Sequence, residues 1–420
     1  MARCDVCVVG AGLIGSATAK YLAGAGARTC LIGPAKSAKE ELEKREVFDM
    51  WSDVSRISHT LSTDIAWSHW ASESIKRYRS LEEESGVKFF TDTGYLVVSN
   101  SSAYIQENAR IAHQIGLDSL ILYADKCELK NRFPDLQFPA DVKIEAVAES
   151  NNAGVINPVR LVEAQRILFT KRGGTLIDDV VVRICRDHDS ALFVVRTAKG
   201  LSIQAAKVVI CAGAFLGHNK LLPDGCQLDL RYHPALLFHL RVDQGSNFDS
   251  LKSLPALTYI HVPSEGSTTT SFNSSFFTAP PLLYPDGHYY LKIGYFDETS
   301  KFESQLLDTP DAISEVCKTT LDKSEELRAN GRHLVQIATS LFAGLRVQGF
   351  NADTCCFVAT SSGRPRIGEA ARNWFVVTGD NGCSAKSSDE IGRLASQLVI
   401  SGKWTCPVLT EDEVRLRLKS

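Results

Sequence analysis

Long apolar runs, internal repeats and a strong net charge are all missing from this sequence, and each absence excludes a class of protein. No apolar run approaches the roughly 20 residues that a helix needs to cross a bilayer, so no membrane span is expected. The formal net charge of −3 gives no reason to expect a nucleic-acid partner. With 420 residues of ordinary composition and no low-complexity linker, the sequence predicts about two to three domains, each with its own core.

Sequence signals for export, disulfides and metal ions are missing as well. The first recognisable motif lies within about ten residues of Met1, which leaves no room for a signal peptide. We therefore expect a cytoplasmic protein whose twelve cysteines are free thiols rather than a disulfide framework. The last residues, 417–420, resemble the peroxisomal signal without matching it. The histidines, such as His233 and His239, lack the spacing of metal ligands, so no metal is expected.

A glycine motif near the start of the chain is the most informative feature that is present. An apolar run at 6–9 predicts a buried strand, and residues 16–23 predict a helix. Between them lie three glycines at the spacing of the dinucleotide-binding fingerprint, Gly10, Gly12 and Gly15. Such glycines permit a tight turn, a close approach of backbone to pyrophosphate, and close packing of helix on strand. The motif indicates an adenine dinucleotide on the helix N-terminus, and the alternative is a structural glycine turn.

The acidic residue that usually completes this fingerprint is missing. A second strand, predicted over 28–32, ends at Gly33 and Pro34 with no carboxylate to hold the ribose hydroxyls. We therefore expect backbone groups or a later residue such as Lys36 to hold the ribose.

Helix and strand patterns recur along the rest of the chain. Apolar spacing predicts helices over 64–84, 103–115, 159–171, 309–330 and 389–400. Alternating or continuous apolar residues predict strands over 89–98, 175–184, 192–197, 203–211 and 374–378, and a strand-rich stretch over 231–295. Because βα elements lie at the start, middle and end, we predict an α/β fold in which a Rossmann-like dinucleotide-binding domain is interleaved with an antiparallel-sheet domain.

Four separated blocks of the sequence carry a family resemblance. The first is the glycine fingerprint, the second is residues 55–57 (Ser-Arg-Ile), and the third is residues 291–295 (Leu-Lys-Ile-Gly-Tyr). The fourth, residues 355–392, contains a cysteine and two glycine-rich motifs, formed by Gly363, Pro365, Ile367 and Gly368 and by Gly379, Gly382, Ser384 and Lys386. In this order the blocks resemble the D-amino-acid-oxidase-like flavoproteins, and within them the monomeric sarcosine oxidase family.

The resemblance implies an FAD-binding domain and its cofactor site. The FAD-binding domain would comprise residues 1–88, 145–225 and 340–420, and the substrate domain residues 89–144 and 226–339. The implied FAD-binding residues are Gly10, Gly12, Leu13, Ile14, Gly15, Gly33, Ser55, Arg56, Val182, Ala212, Gly213, Cys355, Gly379, Gly382, Ser384 and Lys386. For Val182 the alternative is a core strand residue, and for the turns at 212–214 and 378–392 it is a plain β–α turn.

Cys355 is implied to carry the flavin. In the sarcosine oxidase family the cysteine of this block is bonded through sulfur to the 8α carbon of the flavin. Counting back from Thr360, with Phe357 where an aromatic recurs, places Cys355 rather than Cys356 at that position. Nearby Arg or Lys charge would favour the thiolate that attachment needs. The alternative is two adjacent core thiols.

Lys292 and Arg56 are the implied catalytic residues. The resemblance places Lys292 beside flavin N5, where a fixed positive charge stabilises superoxide as oxygen takes its first electron. It places Arg56 over the other side of the ring system, where its charge favours the anionic reduced flavin. As bare sequence features, the lysine could face solvent from an antiparallel strand and the arginine could lie on the surface.

Substrate-facing positions depart from the family's pattern. Sarcosine oxidases hold the substrate carboxylate with an arginine three residues after the flavin arginine, and that position is His59 here. The second carboxylate ligand, the lysine of the last block, is kept as Lys386. Phe296 and Phe357 stand where the family has a histidine and a tyrosine, and Ser52 replaces another histidine. Because histidine cannot form the bidentate guanidinium contact, the resemblance implies weaker carboxylate binding and a larger or more apolar amine.

The resemblance implies a monomeric FAD-dependent oxidase of a secondary amine or N-substituted amino acid. A hydride would pass from the amine to flavin N5, and O2 would reoxidise the flavin to give hydrogen peroxide. The alternatives are an FAD-dependent dehydrogenase or demethylase with another electron acceptor, a nicotinamide-dependent Rossmann reductase, and a non-catalytic flavin-binding module. The fourth block, residues 355–392, argues against the nicotinamide-dependent reductase. The presence of Lys292 and Arg56 argues against the non-catalytic binding module.

Overall fold

The computed structural model describes residues 2–35, 51–187, 190–217, 219, 221–245, 247–263, 272–295, 315 and 324–416. Lys36 and Phe296 therefore lie outside the described residues, as do 309–314 and 316–323 of one predicted helix. Within the described ranges, no helix combines the length and the apolar character needed to cross a membrane.

Strands and helices alternate along the described chain. The strands are β1 (Ala2–Val9), β2 (Thr29–Ile32), β3 (Arg56–Ser58), β4 (Phe90–Asp92), β5 (Tyr95–Ser99), β6 (Leu120–Tyr123), β7 (Glu145–Glu149), β8 (Gly154–Ile156), β9 (Thr175–Ile177), β10 (Val181–Arg186), β11 (Phe193–Thr197), β12 (Ser202–Ile210), β13 (Leu230–Val242), β14 (Ala256–Ile260), β15 (Phe276–Leu283), β16 (Tyr289–Tyr295), β17 (Val347–Thr360), β18 (Arg366–Ala371) and β19 (Trp374–Thr378). The α-helices are α1 (Leu13–Gly24), α2 (Ile65–Ser85), α3 (Ser102–Gln114), α4 (Lys126–Arg132), α5 (Pro158–Lys171), α6 (Phe248–Lys252), α7 (Ser324–Leu341), α8 (Ser388–Ser401) and α9 (Glu411–Val414). A 3-10 helix spans Gly213–Gly217.

The first sheet has the order β10-β11-β12-β1-β2-β9, and β19 pairs with both β12 and β18. Strand β1 runs parallel to β2 and β12, and β12 runs parallel to β19. The carboxyl ends of these four strands therefore lie at one edge of the sheet, which is where open α/β sheets bind ligands. The turns that follow β1, β2, β12 and β19 are brought together there.

The second large sheet has the order β17-β13-β16-β15-β14-β5-β7-β6 and is antiparallel except between β5 and β14. Its register places Lys292 opposite His239 and Cys355 opposite Ala235 of the same strand β13. Because alternate residues of a strand share a face, Lys292, Cys355 and Phe357 lie on one face of this sheet. The first sheet, which is parallel around β1 and antiparallel at β10–β11–β12 and β18–β19, and this largely antiparallel sheet confirm the predicted α/β fold.

Local side-chain chemistry explains why α2 begins and ends where it does. Asp64 is its N-cap, and the Asp64 carboxylate accepts the N–H groups of Ala66 at 2.8 Å and Trp67 at 3.3 Å. Gly86 ends the helix in the left-handed conformation at φ 78°. The predicted helix over 64–84 is therefore confirmed within a residue at each end.

Some elements differ from the sequence prediction. The strand predicted over 89–98 divides at Gly94, which has φ 83°. The strand predicted over 175–184 divides at Asp179, whose carboxylate accepts the N–H groups of Val180 and Lys199 and so forms a turn. Helix α7 ends at Leu341 rather than near 330, because apolar residues at helical spacing stay buried through its last turns.

A buried ionic cluster joins four helices of the fold. The Asp389 carboxylate of α8 accepts Lys20 Nζ at 2.6 Å and Tyr21 OH at 2.8 Å from α1. It also accepts Arg77 Nε of α2 at 2.6 Å and Gln165 Nε2 of α5 at 3.0 Å. Burial alone would raise the pKa of Asp389, but the charges of Lys20 and Arg77 hold that pKa well below its usual range. The cluster ties the second half of α1 to the start of α8.

Candidate active site

The turn between β1 and α1 has the geometry of a phosphate cradle. Gly10 has φ 101°, and a Cβ there would lie 2.3 Å from the carbonyl oxygen of Cys211. A Cβ on Gly15 would lie 1.8 Å from the carbonyl oxygen of Gly10, so neither position accepts a side chain. Helix α1 starts at Leu13, and its N-cap Gly12 makes no side-chain hydrogen bond. The first N–H groups of α1, including that of Ile14, are thus oriented to receive an anion.

Two further turns lie against the turn between β1 and α1, because the strands that they follow, β2 and β12, are the neighbours of β1 in the sheet. A Cβ on Gly33, after β2, would lie 2.4 Å from the Ala11 nitrogen. Ala212, after β12, has its Cα 3.0 Å from the position that a Gly10 Cβ would take, and Gly213 continues the turn at φ 54°. The structure therefore brings the predicted positions after β1, β2 and β12 together.

Val182 is not brought to this cradle. It lies on β10, which is separated from β1 by β11 and β12, at a shift of register between Val181 and Arg183. Its side chain is 39% exposed, so the alternative interpretation of Val182 as a core residue is wrong. A main-chain contact of Val182 with the adenine remains a prediction.

Arg166 is a residue of this edge that sequence reasoning missed. Its Nη2 donates to the Ala11 carbonyl at 2.5 Å and to the Pro34 carbonyl at 3.3 Å, and its guanidinium lies 5.4 Å from the Trp51 ring centroid. Arg166 thereby bridges the glycine turn and the end of β2, where the fingerprint lacks its acidic residue. An arginine on the polar side of an amphipathic helix has no sequence signal that distinguishes it from a surface charge.

The turn between β19 and α8 forms a second helix start at the same edge. Gly379 has φ 81°, and a Cβ there would lie 2.4 Å from Thr360 Cγ2, while Gly382 has φ 70°. The half-buried Asp380 carboxylate accepts the N–H groups of Val358 and Gly382, each at 3.0 Å, which ties the turn to β17. Ser384 is buried, and α8 begins with no side-chain cap.

Lys292 and Arg56 meet on one carboxylate. Lys292 Nζ and Arg56 Nη1 each lie 2.5 Å from Oδ2 of Asp53. The Ser55 carbonyl accepts both cations as well, from Lys292 at 2.7 Å and from Arg56 at 3.0 Å. The side chains of Lys292 and Asp53 are each 3% exposed and that of Arg56 is 11% exposed. The alternatives of a solvent-facing lysine and a surface arginine are therefore wrong.

The second oxygen of Asp53 faces two aromatic groups. Tyr284 OH donates to Oδ1 at 3.1 Å, and His239 Nε2 lies 3.5 Å from the same oxygen. Burial alone would raise the pKa of Asp53, but the Lys292 charge, the His239 contact and the Arg56 charge hold it well below its ordinary value. Burial, reinforced by the Arg56 charge, lowers the pKa of Lys292 to about 8 against the opposing effect of Asp53.

Cys355 lies beside this cluster and Cys356 does not. Cys355 Sγ is 3.8 Å from Arg56 Nη2. Burial raises the pKa of the Cys355 thiol to about 12, although the charges of Arg56 and Lys292 act in the opposite direction. Cys356, the next residue of β17, packs instead in a hydrophobic core formed by residues of the first sheet and of β13. Adjacent strand residues point to opposite faces, so only one of the two thiols faces the cations.

His59 is a half-buried ring. It stacks on Tyr95 with 4.0 Å between ring centroids, and its Nδ1 lies 2.8 Å from the Leu61 carbonyl, which can only accept. Burial, with the charge of Lys386 acting in the same direction, holds the pKa of His59 well below its ordinary value. The segment is anchored by Glu149, whose buried carboxylate accepts the N–H groups that follow His59.

The remaining described residues that are predicted to face the substrate lie near the turn before α8. The Phe357 ring stacks on His233 with 4.4 Å between centroids, and a Cβ on Gly382 would lie 3.7 Å from it. Lys386 is 7% exposed, and its Nζ lies 3.5 Å from the Cys383 carbonyl. Two aromatic stacks and a buried lysine therefore line the region that the sequence assigns to substrate, and Phe296 lies outside the described residues.

Several features of the structure fit a bound dinucleotide with a flavin. Glycine turns that exclude a Cβ and two helix starts without a side-chain cap meet at one sheet edge. The buried hydroxyls of Ser55 and Ser387, one beside Arg56 and one at the start of α8, have no hydrogen-bond partner among the described residues. Polar atoms buried without a partner are costly, which indicates a ligand that satisfies them.

A sheet whose parallel strands carry a dinucleotide turn, joined to a second sheet with a buried lysine, is the architecture of a flavin-dependent oxidoreductase. The chain belongs to the DAO family of FAD dependent oxidoreductases, whose model matches residues 5–398. The family resemblance predicted from the sequence is thereby confirmed. The chain is an FAD-dependent oxidoreductase of the sarcosine oxidase and amino-acid oxidase type, a class that acts on C–N bonds.

Individual relatives agree with this assignment. A monomeric sarcosine oxidase of Bacillus sp. strain NS-129 is 30% identical over 52% of the chain, and the match spans 53% of that relative's length. A monomeric sarcosine oxidase of Bacillus sp. strain B-0618 is 25% identical over 95% of the chain and 93% of its own length. The solved structure of NikD, an unusual amino acid oxidase essential for nikkomycin biosynthesis, superposes with a TM-score of 0.72 at 17% identity over 100% of this chain and 98% of NikD. That likeness shows the shared fold.

Proposed function

We propose that this chain is an FAD-dependent oxidase that acts on a secondary amine or an N-substituted amino acid and reduces O2 to hydrogen peroxide. The observation that carries the proposal is the meeting of Arg56, Lys292 and Cys355, which lie far apart in the sequence, in one buried cluster. The curated relatives named monomeric sarcosine oxidases support the reaction class, a small-molecule substrate and a monomer.

Bound FAD would supply the redox chemistry, taking a hydride from the carbon next to the amine nitrogen and passing two electrons to O2. The residues of the chain supply charge that is in place before the reaction. The Lys292 ammonium is fixed by Asp53 and by the Ser55 carbonyl, and it has no freedom to reorient. A fixed positive charge stabilises negative charge that develops on oxygen, and Arg56 provides a second one for the reduced cofactor.

Cys355 is our candidate for a covalent bond to the flavin. Its thiol faces Arg56, whereas the Cys356 thiol faces the opposite side of β17. The raised pKa of Cys355 means that the thiolate forms only when a bound group or a proton acceptor offsets the burial. The two adjacent cationic side chains would stabilise that thiolate.

The substrate pocket favours an apolar amine over sarcosine. Neutral His59 cannot offer the charge or the two-pronged contact that an arginine gives a carboxylate. The His59–Tyr95 and Phe357–His233 stacks present ring faces instead. Lys386 is the cation left for a substrate carboxylate in this region. These features support a bulky cyclic or aromatic-substituted amine or amino acid.

A peroxide screen of purified protein with a panel of amines tests the proposal. The panel would pair sarcosine with N-substituted amino acids and with cyclic and aromatic secondary amines, and an artificial electron acceptor would run in parallel under nitrogen. We expect a flavin absorbance band near about 450 nm and peroxide formation with the bulkier amines. Turnover with the artificial acceptor but without peroxide would assign a dehydrogenase instead, and absence of flavin would contradict the proposal.

A further inference from the structure

Asp53 is the shared counter-ion of Lys292 and Arg56, the two cations that the family resemblance assigns to the cofactor. Lys292 Nζ and Arg56 Nη1 share its Oδ2 oxygen, each at 2.5 Å. Its Oδ1 oxygen accepts Tyr284 OH at 3.1 Å and lies 3.5 Å from His239 Nε2. The Asp53 side chain is 3% exposed, so the carboxylate has exchanged water for these four partners.

A carboxylate between two buried cations has a clear electrostatic effect. Lys292 and Arg56 repel each other, and that repulsion grows as water is excluded. One buried carboxylate reduces two net positive charges to one and supplies an acceptor that each cation needs. Its position also sets where the Lys292 ammonium points, because Asp53 Oδ2 and the Ser55 carbonyl are its two hydrogen-bond acceptors in the described structure.

We propose that Asp53 is the positioning residue of the active site, holding Lys292 and Arg56 on one carboxylate oxygen and placing its negative charge beside the Lys292 ammonium. This inference rests on the proposed function, in which Lys292 acts as a fixed positive charge. Asp53 itself acts through the two cations, and Tyr284 OH in turn holds the Asp53 carboxylate in place.

The groups that face this cluster determine the direction of the pH effect. Arg56 and Cys355 face Lys292, and His239 and Tyr284 face Asp53. Burial and then Arg56 lower the pKa of Lys292 to about 8, while Asp53 acts against them. Removing the Asp53 charge therefore lowers the pKa of Lys292 further, so Lys292 would lose its proton at a lower pH.

Sulfite binding to the flavin-containing enzyme measures this charge without turnover. Sulfite is an anion, so its dissociation constant reports positive charge near the flavin. In the wild type we expect that constant to rise as the pH passes about 8 and Lys292 loses its proton. In Asp53→Asn the rise in the sulfite dissociation constant should begin at least about one pH unit lower than in the wild type. At about pH 6 this variant should bind sulfite roughly tenfold more tightly than the wild type, because a negative charge is gone.

Three further variants identify the cause. Lys292→Met should remove the rise near pH 8, because no titrating ammonium remains. Asp53→Glu keeps the charge and should keep the wild-type transition. Asp286→Asn is the matched control, since this exposed carboxylate accepts Tyr290 OH at 2.7 Å and, within the described residues, has no hydrogen bond to either cation. It should behave as the wild type does.

The outcomes distinguish a failure of the role proposed for Asp53 from a failure of the proposed function. If Lys292→Met removes the transition and Asp53→Asn leaves it within a few tenths of a pH unit of the wild type, the role of Asp53 is refuted while that of Lys292 stands. If the protein holds no flavin, or if Lys292→Met retains the transition, the proposed function of this cluster fails as well.

Thermal unfolding keeps the proposal testable if Asp53→Asn is unstable. In that variant two cations stay buried without their carboxylate, and adding Lys292→Met removes one of them. We therefore expect the double variant to unfold at a higher temperature than Asp53→Asn, although Lys292→Met alone lowers the unfolding temperature of the wild type. If Asp53→Asn gives no folded protein, recovery by the second substitution supports the proposal. A double variant no more stable than Asp53→Asn contradicts it.

Discussion

Replacing Lys292 by Met tests whether this lysine serves oxygen rather than substrate. The change keeps the side-chain length but removes an ammonium that lies 2.5 Å from Asp53 Oδ2 and 2.7 Å from the Ser55 carbonyl. With Arg56 and Asp53 still paired, the cluster then loses its one net positive charge. A unit charge about 5 Å from a developing anion is worth about 3 kcal/mol at an effective dielectric constant of about 20, or roughly a hundredfold in rate.

The assay is rapid mixing of the two half-reactions separately. Enzyme reduced by substrate without oxygen is mixed with O2, and return of the flavin absorbance is followed. We expect Lys292→Met to slow this step by about 10²-fold or more, the scale of losing one preorganised electrostatic group. Reduction by amine under nitrogen should change much less, because no oxygen anion forms in that step.

The pH dependence of the same step gives an independent check. The pKa of Lys292 is lowered to about 8, so wild-type reoxidation should slow as the pH rises through about 8. The Met variant should show no such decline, and Lys292→Arg, which keeps its charge at all these pH values, should stay fast above it. Equal damage to both half-reactions, or a wild-type profile without the decline, would refute this role for Lys292.

The other predictions concern attachment, substrate choice and stability. Acid-precipitated protein should remain yellow, and Cys355→Ser should release the flavin while Cys356→Ser should not; complete loss of flavin from the denatured wild type would contradict covalent attachment. Wild type should use bulky cyclic or aromatic amines better than sarcosine, and His59→Arg should raise kcat/KM for sarcosine by roughly ten- to a thousandfold, the scale of a bidentate carboxylate contact; wild-type turnover of sarcosine at the rate of its best alternative would show that the pocket is misread. Asp389→Asn should lower the free energy of unfolding by about 3–5 kcal/mol in a denaturant titration at pH 7. Because folding depresses the pKa of Asp389, the wild-type advantage should shrink as the pH falls below about 4, and an advantage that persists in acid would argue against this ion cluster.

Local patterns predicted most of the elements around the site. The helix over 64–84 has its capping Asp64 in the sequence, and the strand over 374–378 is bounded as predicted. The predictions were wrong where a polar residue forms a turn inside an apolar run, as Asp179 does between β9 and β10. Such turns depend on hydrogen bonds to residues distant in the sequence, and apolar periodicity does not register them.

The site was predicted less completely than the fold, for a physical reason. Asp53 was missed because it precedes β3 in a stretch without periodicity, and its partners Tyr284 and Lys292 follow more than 200 residues later. Ion pairs of this kind are specified by strand register, which brings His239 opposite Lys292, and not by spacing along the chain. Arg166 was missed because it lies on a helix where nothing distinguishes it from a surface charge, and its partners Ala11 and Pro34 are distant in the sequence.

The candidate site has two parts, one that carries fixed cations and one that is lined by aromatic rings. The cations next to Cys355 are held by Asp53 and are independent of the substrate, since the developing negative charge that they stabilise is the same for every amine. The other part presents ring faces, the His59–Tyr95 stack and the Phe357 ring, where the amine's side groups would pack. Apolar burial there is worth roughly 25 cal/mol per Å², so the size of the amine, more than its charge, should decide how well it is used. Because the cations are kept and polar pocket residues are exchanged for rings, we expect the reaction to be kept and the substrate to change.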